Sequence, residues 1–143
     1  MRVAVGSDHA GFNLKEAIKK DLIEKGYEVV DVGTNSPERA DYPVYAKLCA
    51  KEVINGNCQF GILCCGTGEG ISITANKVKG IRCGIGYDDE VTALCRKHNN
   101  ANMIAFGERF MKPEDAIRRA NIFLTSDFEG GRHAARVAMM EEK

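Results

Sequence analysis

Neither sign of charge dominates this chain of 143 residues: twenty Lys and Arg are matched by twenty Asp and Glu. Such a balance gives no general attraction to nucleic acid or to an anionic membrane surface, so neither is expected as a partner. Long apolar runs are missing too; none reaches the roughly 18 residues that a bilayer-spanning helix requires. The opening MRVAVGSDHAG turns polar too soon for a secretory signal, and the expectation is a cytoplasmic protein. Cysteine is not scarce, but its patterned forms are absent. Cys49, Cys58, Cys64, Cys65, Cys83 and Cys95 include no CxxC pair, and no His-rich stretch accompanies them. The spacing argues against zinc, and without a secretory signal the thiols are expected to be reduced, most of them acting as small core hydrophobes.

There is no internal repeat, low-complexity segment or composition break, and residues 1–143 read as one domain. Strand-like and helix-like patterns alternate throughout. Arg2–Gly6 is a short apolar run, and Phe12–Lys25 then sets Leu14, Ile18 and Leu22 at helical spacing before Gly26. Tyr27–Val32 is β-branched and strand-like, and TNSPERADYP is the one long polar loop. The same logic predicts helices at Val44–Ile54, Ile71–Lys77, Glu90–Lys97 and Pro113–Leu124, strands at Phe60–Cys64, Ile81–Ile85 and Asn102–Phe106, and a helical tail after Gly131. Five apolar runs interleaved with helices indicate an α/β fold with a parallel sheet covered on both faces. Ligands of such sheets bind at the carboxyl ends of the strands. This draws attention to the loops SDHAG and CGTGEG.

The turn Gly66-Thr67-Gly68-Glu69-Gly70 can present backbone N–H groups at the start of a helix, a setting for an anion or a developing oxyanion. Its spacing is neither the dinucleotide GxGxxG nor a P-loop, and the same residues would also serve as a tight strand-to-helix turn with no ligand. Cys65 ends the preceding strand, where peptide N–H groups and the helix dipole favour thiolate, while alternation points Cys64 to the opposite sheet face and into the core. A buried core role is open to Cys65 as well. Asp8 and His9 stand at the tip of the first strand; Asp8 is equally suited to cap the following helix. His98, followed by Asn99 and Asn100, closes a helix, where a histidine also complements the dipole. Arg132 and Arg136 lie four apart on one helical face, matching a phosphate or forming an ordinary solvated face, and Arg109 in FGERF is a third basic candidate.

Five segments in order, GSDHAGFNLKE, GTxSxERxDYPxYA, ILCCGTGEGISITANKVKGIR, RKHNNANMIAFGER and FEGGRHAARV, resemble the B-type ribose-5-phosphate isomerases and, more widely, the family that includes the galactose-6-phosphate isomerase subunits. The resemblance spans the chain from its first strand to its tail. It implies a three-layer α/β/α Rossmann-like domain with a five-stranded parallel sheet, a homodimer or dimer of dimers with the active site between subunits, and aldose–ketose isomerisation without metal or other cofactor. It implies Cys65 as the base that moves a proton between C1 and C2. A second branch of the family places a glutamate at the position of Ile71 and a glycine at that of the cysteine, so this chain resembles the thiol branch. His98 would open the furanose ring. Asp8 and His9 would contact the ring and its hydroxyls, and Tyr42 would line the pocket. The N–H groups of Gly66, Thr67, Gly68, Glu69 and Gly70, with Asn99, would hold the enediolate oxygen, and Arg109, Arg132 and Arg136 the phosphate. Glu69 departs from the family pattern and could substitute as a base.

The leading expectation is interconversion of D-ribose 5-phosphate and D-ribulose 5-phosphate in the pentose phosphate pathway. The alternatives are isomerisation of a six-carbon sugar phosphate such as allose or galactose 6-phosphate, a non-catalytic phosphosugar-binding module, and a redox switch at Cys64–Cys65. The last requires a strained disulfide between side chains that point apart.

Overall fold

The computed structural model describes residues 1–142. Five parallel strands stand in the order β2-β1-β3-β5-β4: β1 (Arg2–Ser7), β2 (Glu28–Asp31), β3 (Phe60–Cys65), β4 (Cys83–Ile85) and β5 (Met103–Gly107). Six helices connect or follow them: α1 (Phe12–Glu24), α2 (Tyr42–Ile54), α3 (Glu69–Asn76), α4 (Asp89–Lys97), α5 (Pro113–Thr125) and α6 (Arg132–Met140). The expected α/β class and its five-stranded parallel sheet are what the fold contains.

Alternation along the strands sorts their side chains into two apolar layers. Val3, Val5, Ile62, Cys64, Ile104 and Phe106 meet Leu14, Ile18 and Leu22 of α1 and Phe123 of α5 on one face. Ala4, Leu63, Cys65, Met103 and Ala105 meet Ala46 and Cys49 of α2 and Ile71 of α3 on the other. Cys64 and Cys65 therefore belong to opposite layers, as strand parity requires.

Element boundaries differ from the sequence reading where local chemistry extends them. Helix α2 starts at Tyr42, because Pro43 fits the first turn of a helix. Helix α3 starts at Glu69, behind Gly68 at φ +83°, so part of the glycine loop is already helical. Strand β4 shortens to three residues because the Asn102 side chain ties the backbone at Gly80 and Arg82. One charged residue lies wholly inside: Lys15, 1% exposed, donates to both Asp31 oxygens at 2.9 and 3.0 Å and to the Thr34 carbonyl at 2.5 Å.

The connections fix the site. From β1 the chain crosses to β2 at one edge, and from β3 it crosses toward β4 and β5 at the other. The carboxyl ends of β1 and β3, paired through Ser7 and Cys64, thus flank the point where the winding reverses, which is where open α/β sheets leave a crevice.

Candidate active site

That crevice holds a cavity of about 420 Å³ lined by Asp8 and His9 just after β1, Arg39 from the loop before α2 and Tyr42 at its start, Cys65 at the end of β3, Gly66 and Thr67 from the turn that follows, Gly70 in the first turn of α3, and Arg109 after β5. Cys65 is 4% exposed. Its Sγ accepts the Gly68 N–H at 3.1 Å, so the turn curls back over the sulfur. The Thr67 hydroxyl accepts the Glu69 N–H at 3.1 Å. Two further bonds hold the mouth of the strand: Glu108 N–H donates to the Cys65 carbonyl at 2.9 Å and Arg109 N–H to that of Gly66 at 3.1 Å.

Both walls are tightly set by glycines. A Cβ at Gly11 would lie 2.3 Å from the Cys64 carbonyl carbon, so the turn after Asp8 presses against the β3 backbone. A Cβ at Gly70 would lie 2.7 Å from the Tyr42 ring, which rests on that turn. Asp8 is buried, faces the cavity and accepts the Gly11 N–H at 3.0 Å, which caps the short 3-10 turn His9–Gly11; the N-cap of α1 is Gly11, so Asp8 does not cap the helix expected from the sequence. His9 Nδ1 lies 3.1 Å from the Ala40 N–H and 3.0 Å from the Ala40 carbonyl, tying the β1 tip to the long loop.

The other thiols are chemically separate from this site. Burial pushes the Cys49 and Cys64 thiols well above their ordinary value. It also raises Cys83 to about 12 and Cys95 to about 11. All six cysteines are free.

Several candidates from the sequence stand elsewhere in the chain. Glu69 is exposed and lines a neighbouring cavity with Tyr87 and Phe110, not the one that holds Cys65. Ile71 is fully buried in the core layer it shares with Cys65. His98 caps the end of α4, and Asn99 after it lines a cavity of about 580 Å³ with Arg82 and Glu141. Both precede β5, whose first residue pairs with Gly61, whereas Cys65 pairs with its last, Gly107. At ~3.3 Å per residue the strand separates these two ends by about 13 Å. Arg132 and Arg136 are exposed on α6. None of these four residues lines the Cys65 cavity of its own chain.

Sequence reasoning passed over Arg39, which lines the cavity, and Gly11 and Glu108, which hold the backbone around Cys65. Glu108 Oε1 accepts the Leu14 N–H at 2.7 Å in the first turn of α1, linking that helix to the strand end that holds Cys65. Position alone could have pointed to Arg39, since it sits in the ERxDYP block beside Tyr42.

The fold and crevice define a doubly wound α/β protein with a thiol beside an anion-suited turn, and comparison with known proteins narrows the class. The Ribose/Galactose Isomerase family model matches residues 3–140, and the chain belongs to that family. It is 47% identical to the ribose-5-phosphate isomerase B of Escherichia coli over 136 residues, 95% of this chain and 91% of that protein. The crystal structure of a ribose 5-phosphate isomerase from Thermotoga maritima superposes with a TM-score of 0.97 at 43% identity, covering 99% of this chain and 98% of that one. Ribose-5-phosphate isomerase B of Mycoplasma genitalium, solved with bound ribulose-5-phosphate, gives 0.93 at 39% identity, covering 98% and 93%.

Proposed function

We propose that this protein is an aldose–ketose isomerase that interconverts D-ribose 5-phosphate and D-ribulose 5-phosphate through an enediolate, acting in the cytoplasm within the pentose phosphate pathway. The observation that carries the reading is Cys65, held under a backbone N–H at the mouth of a glycine turn in a cavity at the winding reversal. Identity of 47% to an enzyme of that name over nearly the whole chain supports the substrate pair.

An α-hydroxy carbonyl is a weak carbon acid, so its proton leaves only to a positioned base with donors aimed at the oxygen that becomes negative. In this reading the Cys65 thiolate takes the C2 proton of the open aldose and then gives a proton to C1, while the O2 proton passes to O1. Of the turn's N–H groups, those of Gly66, Thr67 and Gly70, which line the cavity, are left for the developing oxyanion, since Gly68 N–H is given to Cys65 Sγ and Glu69 N–H to the Thr67 hydroxyl. Each such donor is worth about 10²–10³ in rate. Tyr42, Asp8 and His9 bound the space for the sugar chain, and Arg109 reaches the cavity as a phosphate ligand. His98 as ring-opening acid, Asn99, and Arg132 and Arg136 as phosphate ligands lie about a strand's length away, so a complete site takes them from a second copy of the chain. The functional unit is accordingly a homodimer or a dimer of such dimers, with two sites that each borrow from both copies.

Two measurements test the reading. Initial rates on ribose 5-phosphate, allose 6-phosphate and galactose 6-phosphate should favour the pentose; a clear preference for a hexose phosphate contradicts it. Replacing Cys65 by Ala should lower kcat by about 10²–10⁴, the contribution of a general base, while ribose 5-phosphate still binds. Near-normal turnover of that variant would remove Cys65 from the chemistry.

A further inference from the structure

Gly130 and Gly131, at φ +68° and +54°, fold the chain back on itself just ahead of α6. The turn is pinned at both ends. Glu129 N–H donates to the Lys97 carbonyl at 3.0 Å, immediately before His98, and His133 N–H donates to the Gly130 carbonyl at 3.0 Å. As a result one carboxylate faces two imidazoles: Glu129 Oε1 lies 3.5 Å from His98 Nε2 and 3.9 Å from His133 Nε2. The two rings are stacked, with centroids 4.1 Å apart and planes inclined by 12°. His98 is half-buried, whereas His133 is buried. Burial, followed by the neighbouring His98 and Arg132, pushes the His133 imidazole below its ordinary value, with Glu129 opposing.

The three donor groups are close enough for a cation, all within 4.8 Å of one another. The stacking argues against one. An imidazole binds a metal in its ring plane at about 2.0–2.1 Å, and a point shared between two nearly parallel rings lies well outside both planes. What the arrangement does suit is orientation. A carboxylate on one ring nitrogen fixes which nitrogen carries the proton and how the ring is turned, leaving the other nitrogen for the ligand.

We propose that Glu129 and His133 are positioning residues for His98, the carboxylate holding Nε2 and the stacked ring holding the imidazole plane, so that Nδ1 is presented to the sugar ring of the neighbouring copy. The inference rests on the ring-opening role given to His98 above. In that step the ring oxygen takes the Nδ1 proton of the doubly protonated His98 ring as the C1–O bond breaks, the Nε2–H staying on Glu129, and the C1 hydroxyl loses its proton to water. Aldehyde and free hydroxyl result, and the imidazole is reprotonated by solvent.

Ribose 5-phosphate is largely a furanose and needs this step; ribulose 5-phosphate, with its C5 hydroxyl esterified, has no furanose form and does not. The two reactions separate positioning of His98 from everything else. Replacing Glu129 by Ala and, separately, His133 by Gln should lower kcat/KM for ribose 5-phosphate at least about tenfold, part of the roughly 10²–10⁴ that a general acid contributes. Both variants should leave exchange of the C1 proton of ribulose 5-phosphate with deuterated water close to the wild-type rate. Equal losses in the two reactions, or unchanged turnover of ribose 5-phosphate in both variants, overturn the proposal. If the wild-type protein neither interconverts the two sugar phosphates nor exchanges the C1 proton, it is the isomerase reading that fails.

Discussion

Gly11 has no room for a methyl group, and its place in the chain makes that consequential. A Cβ there would sit 2.3 Å from Cys64 carbonyl atoms and 2.6 Å from the Cys65 nitrogen, all of them backbone and unable to swing aside. Gly11→Ala is expected to destabilise the fold by about 1–3 kcal/mol, as overpacking does, and to lower turnover of the remaining folded protein by moving the strand end that carries the thiol. Thermal unfolding and specific activity of the purified variant check both; a variant with unchanged melting temperature contradicts the packing argument. Nothing in the sequence marked Gly11, because its constraint comes from a strand some fifty positions away. The assignment of Cys64 and Cys65 to opposite faces was legible, since parity along a strand is a local property. The pairing of His98 with Glu129 and His133 was not legible: it depends on a turn that brings α6 back to the end of α4.

Among the elements, α1 is anchored by one buried charge as well as by its apolar stripe of Leu14, Ile18 and Leu22. Lys15 ties α1 to Asp31 at the end of β2 and to the Thr34 carbonyl in the following loop, and Lys19 adds a second bond to Asp31 at 3.0 Å. Burial would raise the Asp31 carboxyl, but hydrogen bonds from Lys15, the Gly33 N–H and Lys19 outweigh it and hold the group below its ordinary value. A carboxyl depressed in the folded state stabilises above the unfolded value of about 3.9 and loses that contribution as pH falls through the folded one. The difference in unfolding free energy between wild type and Asp31→Asn should therefore be constant above about pH 5 and shrink below about pH 4. A difference that does not change between pH 3 and 7 would contradict this account. The alternation of strands and helices was readable from periodicity, whereas the starts of α2 and α3 were not. Tyr42 and Glu69 look like loop residues until Pro43 and Gly68 are seen to shape the first turns.

At the scale of the whole molecule, the order of elements separates the groups that the chemistry would combine. Cys65 stands at the carboxyl end of the central strand β3, and His98 stands before the amino end of β5. Their separation is fixed by strand length and cannot be closed by side-chain motion. Sequence motifs could name both residues, but only the fold reveals that one chain keeps them apart. On the proposed function, the active site is built from two copies. The most direct test mixes two inactive proteins, Cys65→Ala and His98→Asn, under conditions where subunits exchange. A mixed dimer holds one site with an intact cysteine from one copy and an intact histidine from the other, so random exchange should restore about a quarter of wild-type activity. Activity that stays at the sum of the two separate variants would show that each chain carries out the reaction by itself, and would contradict the shared site.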